Sequence, residues 1–408
     1  MKKLLSIFLA VAMLICMVAC GTDTPAGTGN ESDENAANIK IGVILIGDEN
    51  EGYTYSHIKG IEEAAAKLGI ADEQIIWKYT IPEDATCTET ALDLVDQGCN
   101  LVISNSYGHQ SYMEQAAKEA PEVQFISMTG DTAAKSGLEN FSNAFTHVYQ
   151  SRYVSGVVAG MKVAELVEAG KLTDANYKDG KVKIGYVGAY PYAEVVSGYT
   201  AFFLGIQSVY PEVTMDVKYT NSWFSLIDEA ATAESLMADG CVIIGQHADS
   251  TGAPSAVEEA QKKGTVAYSV GYNIDMLAVA PNAALTSPTN NWSVYYEYAF
   301  NAVMNGEKVA TDKAYGYADN GVYITPLGTA CAAGTAEKVE EVVAAIKDGT
   351  LKVFDTSKFT VGGETLTSYT TSYGFEGNEL ISDGYFHESE LRSAPAFDIR
   401  IDGITELS

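Results

Sequence analysis

Short apolar runs alternate along the chain with longer segments in which apolar residues recur every three or four positions. The first run, residues 39–46, ends at a polar loop containing glycine, and a helical pattern from Ile58 to Leu68 follows. An apolar strand of this kind is typical of a parallel sheet covered by helices on both faces. Ligands of such sheets bind beyond the carboxyl ends of the strands, so residues 47–55 are a candidate ligand loop.

The same order of strand, loop and helix continues to residue 270. It predicts strands at residues 74–79, 99–104, 123–128, 182–187, 215–219, 241–245 and 266–270, and helices at residues 89–97, 110–118, 152–168, 195–210, 227–238 and 254–263. Residues 145–149 are expected to cross from the first set of elements to the second. Because the second set repeats the first, we predict an α/β fold of two doubly wound lobes with parallel sheets.

The pattern after residue 270 is less regular. It predicts a helix at residues 292–304, short strands at 314–318 and 322–324, and a helix at 336–347. Residues 351–408 are rich in strand-forming side chains and contain glycine turn pairs at 362–363 and 376–377. We therefore predict a β-rich C-terminal tail of hairpins packed on the second lobe.

The N-terminus has the pattern of a secretory signal. Lys2 and Lys3 precede a short apolar stretch, residues 4–18, which predicts a signal peptide over residues 1–19 rather than an anchoring helix. Cys20 follows small residues and resembles the cysteine of a bacterial lipoprotein signal, which carries lipid after cleavage. Ordinary cleavage beside an incidental cysteine is the alternative. Residues 20–38 have no apolar period and predict a flexible linker behind the lipidated cysteine.

Length and charge narrow the class of protein. A chain of 408 residues is long enough for two domains, since single cores rarely exceed about 250–300 residues. The formal net charge is −29, from 25 basic and 54 acidic residues, which disfavours nucleic acid and anionic lipid as partners. Tyrosine is in excess, at 25 residues against 13 phenylalanines, and suits polar ligand clefts because its ring carries a polar tip.

Cysteine and histidine spacing predicts no metal site. Cys87, Cys99, Cys241 and Cys331 lie outside any C-x-x-C pair and away from histidines at metal-binding spacing. Cys99 and Cys241 each precede an apolar run and are expected to be buried. The sequence does not decide whether any disulfide forms. The sequence has no phosphate loop of the G-x-x-x-x-G-K-[ST] type, no G-x-S-x-G and no H-E-x-x-H, so we expect no cofactor.

One pair of residues could serve catalysis. His247 and Asp249 are separated by a single alanine and could orient a base or hold a metal. A loop histidine that only makes a hydrogen bond is the commoner outcome.

Six loops that follow predicted strands share a composition of aromatic and Asp or Asn side chains. They are Gly47-Asp48 to Tyr53, Ser106-Tyr107-Gly108, Tyr190-Pro191-Tyr192, Asn221-Ser222-Trp223, Gln246-His247-Ala248-Asp249 and Gly271-Tyr272-Asn273. Aromatic rings stack on flat ligands, and carboxylates or amides bond their edges. Because these loops contain no Arg or Lys, the pattern favours an uncharged or cationic ring compound, with a nucleobase or nucleoside first and a sugar second.

Longer motifs resemble one family. IGVILIGDENEGYTYSHIKG, RYVSGVVAG, GYVGAYPYAEVVSGYTAFFLGIQSV and DNGVYI are similar to the basic membrane lipoprotein (BMP) family of ABC-importer substrate-binding proteins. VGAYPYAEV, NSWFS, QHADST and NNWSVYY resemble its purine-binding branch. The resemblance implies a type I periplasmic-binding-protein fold with a hinge of three crossovers. We accordingly divide the chain into a first lobe, residues 39–147 plus 287–308, and a second lobe, residues 148–286 plus 309–408.

The resemblance also implies ligand-binding positions. Tyr53 matches the aromatic that stacks on the base, with Tyr55 as the alternative, and Trp223 and Asp249 match positions facing the ligand. Tyr190 and Asp275 follow by the same motifs, and the strand-end pattern adds a sixth residue, Tyr107. Nucleoside-binding relatives share a lysine that contacts ribose, but the stretch GYNIDM contains none, which favours a free base.

The predicted protein is a lipid-anchored monomer on the outer face of the cell membrane. It would capture a purine base or nucleoside by hinge closure and deliver it to an ABC permease without catalysing a reaction. The alternatives are a sugar-binding protein of the same fold, a ligand-sensing receptor, and a secreted nucleoside hydrolase using Asp48 and Asp249. If the chain is a binding protein, we expect Asp48 to be a structural turn or helix-start residue rather than a catalyst.

Overall fold

The structure is a computed structural model that describes residues 36, 38–370 and 377–407. The predicted signal peptide, Cys20 and the predicted linker up to residue 35 lie outside these residues. Ala36 is buried against the first lobe, and its carbonyl accepts a 2.7 Å hydrogen bond from Gln74 Nε2. The predicted linker, which we extended to residue 38, therefore already contacts the first lobe at its end.

Residues 38–146 form a parallel sheet with helices on both faces. Its strands are β1 (Ile41–Ile44), β2 (Ile75–Lys78), β3 (Leu101–Ser104), β4 (Gln124–Met128) and β5 (Phe141–Thr146), and its helices are α1 (Gly52–Leu68), α2 (Ala85–Asp96), α3 (Gln110–Glu119) and α4 (Ala133–Ser136). The strand order is β5-β4-β3-β1-β2, with every pair parallel. This is the predicted doubly wound arrangement.

The second lobe repeats that architecture. Its elements are α5 (Val148–Glu168), β6 (Tyr177–Lys178), β7 (Lys181–Gly188), α6 (Ala193–Val209), β8 (Val213–Tyr219), α7 (Leu226–Ala238), β9 (Ile243–Gln246), α8 (Gly252–Lys262), β10 (Tyr268–Val270) and β11 (Ala284–Thr286). The order β11-β10-β9-β7-β8 is parallel throughout. The chain enters this lobe at His147, inside the predicted crossing at residues 145–149.

The remaining elements join the two lobes and complete both sheets. They are β12 (Pro288–Asn290), α9 (Trp292–Met304), β13 (Asp312–Tyr315), β14 (Val322–Ile324), α10 (Thr335–Lys347), β15 (Ile381–Ser382), β16 (Tyr385–Phe386) and β17 (Ile404–Leu407). β12 and β14 pair with each other, α9 packs on α1, and α10 packs on α5. Each of the two later crossings between lobes therefore runs through this small antiparallel pair.

One part of the predicted domain division is wrong. We placed residues 309–408 in the second lobe, but β13 pairs with β5 and forms the edge of the first sheet. The third crossing thus follows residue 315 rather than residue 308. The four residues of β13 are all half-buried, as an edge strand is, and such a pattern does not tell which sheet a strand joins. The rest of the division stays a prediction.

The C-terminal tail contains less strand than predicted. In its described part, β15 and β16 are strands of two residues each that form a hairpin, and β17 extends the second sheet by pairing with β8 in parallel. Much of the remainder is irregular chain whose aromatic residues pack into the second lobe's core. The predicted turn at 362–363 is present, since both glycines have positive φ, whereas residue 376 of the other pair lies outside the described residues.

Local signals explain two further differences from the predicted elements. α2 begins four residues earlier than predicted because Asp84 caps it, accepting a 2.8 Å bond from the backbone N–H of Thr86. β5, with the sequence FSNAFT, was not predicted because it is neither a continuous apolar run nor a strict alternation of polar and apolar residues, although all six residues are buried. Cys87, Cys99 and Cys241 are buried free thiols and Cys331 is a half-buried one, which confirms the expected burial of Cys99 and Cys241.

Close contact between α5 and α6 holds the second lobe together. A Cβ atom on Gly156 of α5 would lie 2.1 Å from the carbonyl oxygen of Phe202, and one on Gly205 of α6 would lie 2.1 Å from that of Tyr153. Only glycine permits two helix backbones to approach this closely. The small-residue face predicted for the helix starting near residue 152 is therefore a helix-packing face.

We expect Gly156→Ala to destabilise the second lobe by about 3 kcal/mol, because the new methyl group meets backbone rather than a movable side chain. Urea unfolding monitored by circular dichroism measures the change. Ser155→Ala on the same buried helix is the control, since it adds no volume and removes one hydroxyl bond to Arg152 O. Equal midpoints for Gly156→Ala and the wild type would show that the helices can separate without cost.

Candidate ligand-binding cleft

A cavity of about 510 Å³ lies between the lobes at the carboxyl ends of both sheets. Its walls come from the loops after β1, β2, β3 and β4 in the first lobe and after β7, β8, β9 and β10 in the second. These include the strand-end loops singled out from the sequence. Tyr53, Tyr107, Tyr190, Trp223 and Asp249, five of the six predicted site residues, line this one cavity.

Aromatic rings form two walls of the cavity. On the second lobe, the ring of Tyr190 stacks on Tyr192 at 5.2 Å and meets Trp223 edge-on at 5.1 Å. On the first lobe, Tyr53 faces the cavity from the first turn of α1. Rings that come from opposite lobes can enclose a flat ligand as the lobes close.

Tyr53 is held rigidly from behind. Its hydroxyl donates to the carbonyl of Asn105, and its ring meets the edge of His57 at 4.6 Å. His57 in turn stacks on Trp292 at 4.3 Å and bonds the hydroxyl of Tyr296 at 2.6 Å. Burial lowers the pKa of His57 well below its ordinary value, so this support is neutral.

The alternative aromatic, Tyr55, does not reach the cavity. Its side chain is 38% exposed, and the ammonium of Lys59 lies 5.6 Å from its ring centroid on the outer face of α1. Two residues along a helix turn the side chain through about 200°, so only one of Tyr53 and Tyr55 can face inward. Tyr53 is the one that does.

Two buried carboxyl groups from opposite lobes share the cavity. Glu51 precedes α1 in the first lobe, and Asp249 follows β9 in the second, where its Oδ1 accepts a 2.7 Å bond from Asn273 Nδ2. The N–H of Gly52 also donates to the carbonyl of Asp249 at 3.3 Å, which joins the lobes directly. Burial raises the pKa of both carboxyls, and the charge of Glu51 raises that of Asp249 further.

Asp48 has the structural role that we predicted for it. Its Oδ1 accepts bonds of 2.9 Å from the backbone and the side-chain nitrogen of Asn50, and its carbonyl accepts one from Glu51 N–H. This is an Asx turn that leads into α1. The residue lines the cavity, but one carboxylate oxygen is occupied in shaping the loop.

His247 is engaged by a carboxylate that the sequence did not single out. Its Nε2 lies 3.3 Å from Glu194 Oε1 on α6, and burial together with the nearby Arg152 lowers its pKa to about 4. The imidazole is therefore neutral near pH 7 and donates Nε2–H to Glu194. The pair His247 and Asp249, considered as a base and its partner, is not arranged as one.

A buried cation stands behind the cavity wall. Arg152 on α5 donates to Gln246 O at 2.5 Å and to the hydroxyl of Tyr186 at 2.9 Å, and its guanidinium lies 3.6 Å from the ring centroid of Tyr272. Tyr272 itself lines the cavity. The described lining of the cavity contains no Arg or Lys, in keeping with the composition of the strand-end loops. Arg152 instead approaches from helix α5, behind the lining residue Tyr272.

The structure places Asp275 outside this cavity. Its Oδ1 accepts a 2.8 Å bond from the backbone N–H of Leu277, and it borders a separate groove with Tyr55 rather than the cavity. The residue shapes a turn, as aspartate does when its side chain bonds the backbone two residues later. Its acidic character, five residues after the last residue of β10, was not enough to place its side chain.

The lining also contains residues outside the predicted site set, and those that bear most on its chemistry are Glu51, Glu194, Thr129 and Tyr272. Tyr272 lies in a loop that the sequence pattern contained, and Glu51 directly precedes the first helix, so both positions carried a signal. Glu194 lies in the quoted motif VGAYPYAEV but received no assignment there, and Thr129 carried no signal because its approach to the cavity depends on how the loop after β4 is placed.

Neither a metal centre nor a membrane-spanning element emerges from the described ranges. They contain no group of three or more His, Cys, Asp or Glu side chains placed to hold a metal ion. None of the helices in residues 38–370 and 377–407 combines the length and the apolar content that crossing a bilayer requires.

Known proteins match the chain over most of its length. The family model Bmp, of ABC transporter substrate-binding proteins of the PnrA-like type, matches residues 39–355. A purine-binding protein of Brucella abortus is 31% identical over 317 residues, which cover 78% of this chain and 83% of the relative. A putative ABC transporter glucose-binding protein of Haloferax volcanii is 28% identical over 80% of this chain and 75% of its own.

The fold has solved counterparts. A solute-binding protein of an ABC transporter system from Aeropyrum pernix superposes with a TM-score of 0.64 at 17% identity, covering 78% of this chain and 93% of that structure. At this identity the likeness concerns the fold alone. It confirms the predicted two-lobed periplasmic-binding architecture.

The buried carboxyls predict a pH-dependent stability. A carboxyl whose pKa is raised by folding binds more protons in the folded state, so its contribution to stability falls as pH rises above its ordinary pKa. We expect Glu51→Gln to raise the unfolding midpoint of the ligand-free protein by a few degrees at pH 8, and by less at pH 5.

Thermal unfolding followed by circular dichroism between pH 5 and pH 8 measures this difference. Glu49→Gln is the matched control, because Glu49 lies two residues away but is exposed. A constant difference between Glu51→Gln and wild type across this range would contradict the assignment.

Proposed function

The chain belongs to the Bmp family of ABC transporter substrate-binding proteins, and from that premise we propose that it captures a purine base or nucleoside between its lobes. Members of this family are extracytoplasmic proteins that bind a small molecule and present it to an ABC permease. The resemblance drawn from the sequence motifs is confirmed by the family match. The identity of the ligand is the part that we propose.

The observation that carries the proposal is the pairing of Tyr53 with Trp223 across one cavity. The two rings belong to different lobes, so a flat ligand between them would stabilise the closed arrangement by stacking on both. Burial of a purine between two rings requires no charge on the ligand. The Brucella abortus relative, which is named as a purine-binding protein, supports the same ligand class.

The charges of the cavity favour a ligand that supplies hydrogen-bond donors. Asp48, Glu51, Glu194 and Asp249 line it, and no Lys or Arg belongs to its described lining. A phosphate or carboxylate ligand would meet unfavourable charge here. The N–H groups of a purine base would instead pair with the buried carboxylates, and their bonds would offset part of the cost of burying those groups.

Binding without catalysis fits the same geometry. A nucleoside hydrolase would need a carboxylate poised to activate water, but Asp48 Oδ1 is bonded within its own loop. Asp249 is engaged in the same way, since its Oδ1 accepts a 2.7 Å bond from Asn273 Nδ2. The function we propose therefore ends with transfer of an unchanged ligand. Incubation with inosine followed by a ribose assay tests this point.

We further propose that Cys20 carries the lipid that holds the protein on the outer face of the membrane, and that the protein acts as a monomer. Support comes from the apolar stretch and small residues that precede Cys20. The polar linker that follows would give the lobes reach toward a permease.

A sugar is the second candidate ligand. The Haloferax volcanii relative is named as a putative glucose-binding protein, and sugars also bind between aromatic rings with carboxylates at their edges. The sugar hypothesis and the purine hypothesis make different predictions in one screen.

We expect a panel of adenine, guanine, hypoxanthine, inosine and guanosine to contain at least one compound that raises the unfolding midpoint. Ligands that bind only the folded state stabilise it by mass action, so the shift grows with concentration. Differential scanning fluorimetry against this panel and against glucose, ribose and galactose decides between the classes. A shift with a sugar and none with any purine would refute the proposal.

Trp223→Ala should weaken binding of the stabilising purine by roughly tenfold to a hundredfold, since stacking contributes about 1–3 kcal/mol per base. Isothermal titration calorimetry measures the dissociation constant. Tyr55→Ala, which removes a ring outside the cavity from the same helix that carries Tyr53, is the matched control and should bind like the wild type. Unchanged affinity in Trp223→Ala would remove Trp223 from the site.

A further inference from the structure

A segment near the C-terminus, residues 388–397, contacts both lobes; we call it the interlobe strap. It lies beyond residue 355, where the family match ends. At its start, the buried carboxylate of Glu388 accepts bonds from Ser197 Oγ at 2.6 Å and from the backbone N–H groups of Ala396 and Phe397 at 2.9 Å each. These bonds close the strap into a loop and fasten it to α6 of the second lobe.

Apolar packing adds to this second-lobe anchor. Phe397, at the end of the strap, is fully buried and stacks on Phe354 with ring centroids 4.2 Å apart. Phe386, just before the strap, meets Phe397 edge-on at 4.9 Å. Burial of such rings is strongly stabilising, so the strap stays with the second lobe whenever that lobe is folded.

The middle of the strap reaches the first lobe through polar contacts. Arg392 Nη1 lies 3.1 Å from Asp131 Oδ2, and the side chains are only 5% and 18% exposed. The backbone N–H of Ser393 donates to Asp312 Oδ2 on β13 at 2.8 Å. The arginine also donates to the carbonyl of Pro395 at 2.9 Å, which fixes its direction toward Asp131.

The same aspartate contacts a residue that lines the ligand cavity. Asp131 follows the cavity-lining Thr129 by two residues, and its Oδ2 lies 3.4 Å from the hydroxyl of Tyr107. Its backbone N–H donates to Gln110 Oε1 at 2.8 Å, so the loop itself is held in place. Tyr107 is 42% exposed at the mouth of the cavity, where its ring is not otherwise enclosed.

We propose that Arg392 is a positioning residue of the binding cleft, whose ion pair with Asp131 fastens the strap across the closed lobes, orients Tyr107 and slows release of the ligand. The two anchors differ in kind. Stacked rings hold the strap to the second lobe, whereas an ion pair and a backbone bond hold it to the first. When the lobes separate, the polar contacts part because water can replace them.

The side chains of Arg392 and Asp131 are both largely buried, so loss of their ion pair should have a measurable effect on ligand release. Removing one member of a desolvated ion pair leaves the other charge without compensation, and this acts mainly on dissociation rates. Because neither Arg392 nor Asp131 belongs to the cavity lining, loss of the pair should affect opening more than encounter. That separates a positioning residue from one that contacts the ligand.

The test compares Arg392→Gln, Asp131→Asn, the double variant and the conservative Arg392→Lys. Stopped-flow fluorescence with hypoxanthine or inosine, whichever binds, gives association and dissociation rates. We expect Arg392→Gln to raise the dissociation rate roughly tenfold while the association rate changes much less. Asp131→Asn should behave similarly, the double variant should add little to either, and Arg392→Lys should recover part of the effect.

A second readout needs no ligand, so it remains decisive even if the proposed purine is wrong. Small-angle scattering of the ligand-free protein should give a larger radius of gyration for Arg392→Gln than for wild type, since more molecules open. Arg400→Gln is the matched control, because Arg400 belongs to the same tail and pairs at 3.1 Å with Glu406, within the second lobe. It should change neither quantity.

Some results would overturn the proposal. A lower unfolding midpoint for Arg392→Gln, with the radius of gyration and dissociation rate of the wild type, would make Arg392 a purely structural residue. Additive effects of Arg392→Gln and Asp131→Asn on dissociation would show that the two side chains act independently. If Arg392→Gln fails to fold, Asp131→Asn alone carries both readouts.

Discussion

Closing the cleft brings carboxyl groups of opposite lobes into the same water-poor space, and the rest of the site limits that cost. Glu51 arrives from the first lobe and Asp249 from the second, and burial and mutual repulsion raise the pKa of Asp249. Asn273 donates to one oxygen of Asp249, and the backbone of Gly52 bonds its carbonyl. A ligand with N–H groups would supply further donors only in the closed state, so closure would depend on the ligand.

The buried Arg152 links this site to the packing of the second lobe. Its guanidinium lies behind Tyr272. Burial has the largest effect on the pKa of both neighbours, raising that of Asp249 and lowering that of His247. The charge of Arg152 lowers the pKa of both groups. A Cβ on Gly198 of α6 would stand 2.9 Å from His247 Nδ1 and 3.5 Å from Arg152 Nε. The close approach of α5 and α6 therefore does more than fill the core. It brings a positive charge to within reach of the acidic cavity without exposing that charge to the ligand.

Periodicity and turn chemistry predicted most strands and helices of both lobes with boundary errors of a few residues but missed α4, β5 and β11, and five of the six predicted site residues line one cavity. What these signals could not predict depends on contacts between distant segments. Arg152 looked like part of an apolar helix, and β13 gave no sign of the sheet it joins. Asp275 was predicted to face the ligand, but an aspartate beyond a strand serves equally well as a turn residue. Its carboxylate accepts a hydrogen bond from the backbone N–H of Leu277. The contact between Arg392 and Asp131 joins residues 261 positions apart, which no local pattern reveals.

Three covalent crossings hold the lobes of the described chain together, and the strap adds a noncovalent connection beside Tyr107. The crossings permit rotation, since each passes through short strands or a single residue rather than a continuous helix. A polar bond between lobes contributes only about 0.5–1.5 kcal/mol net, because water replaces it on opening. The strap and the bond from Gly52 to Asp249 can therefore bias the closed state without locking it, and a transport protein must both retain its ligand and release it.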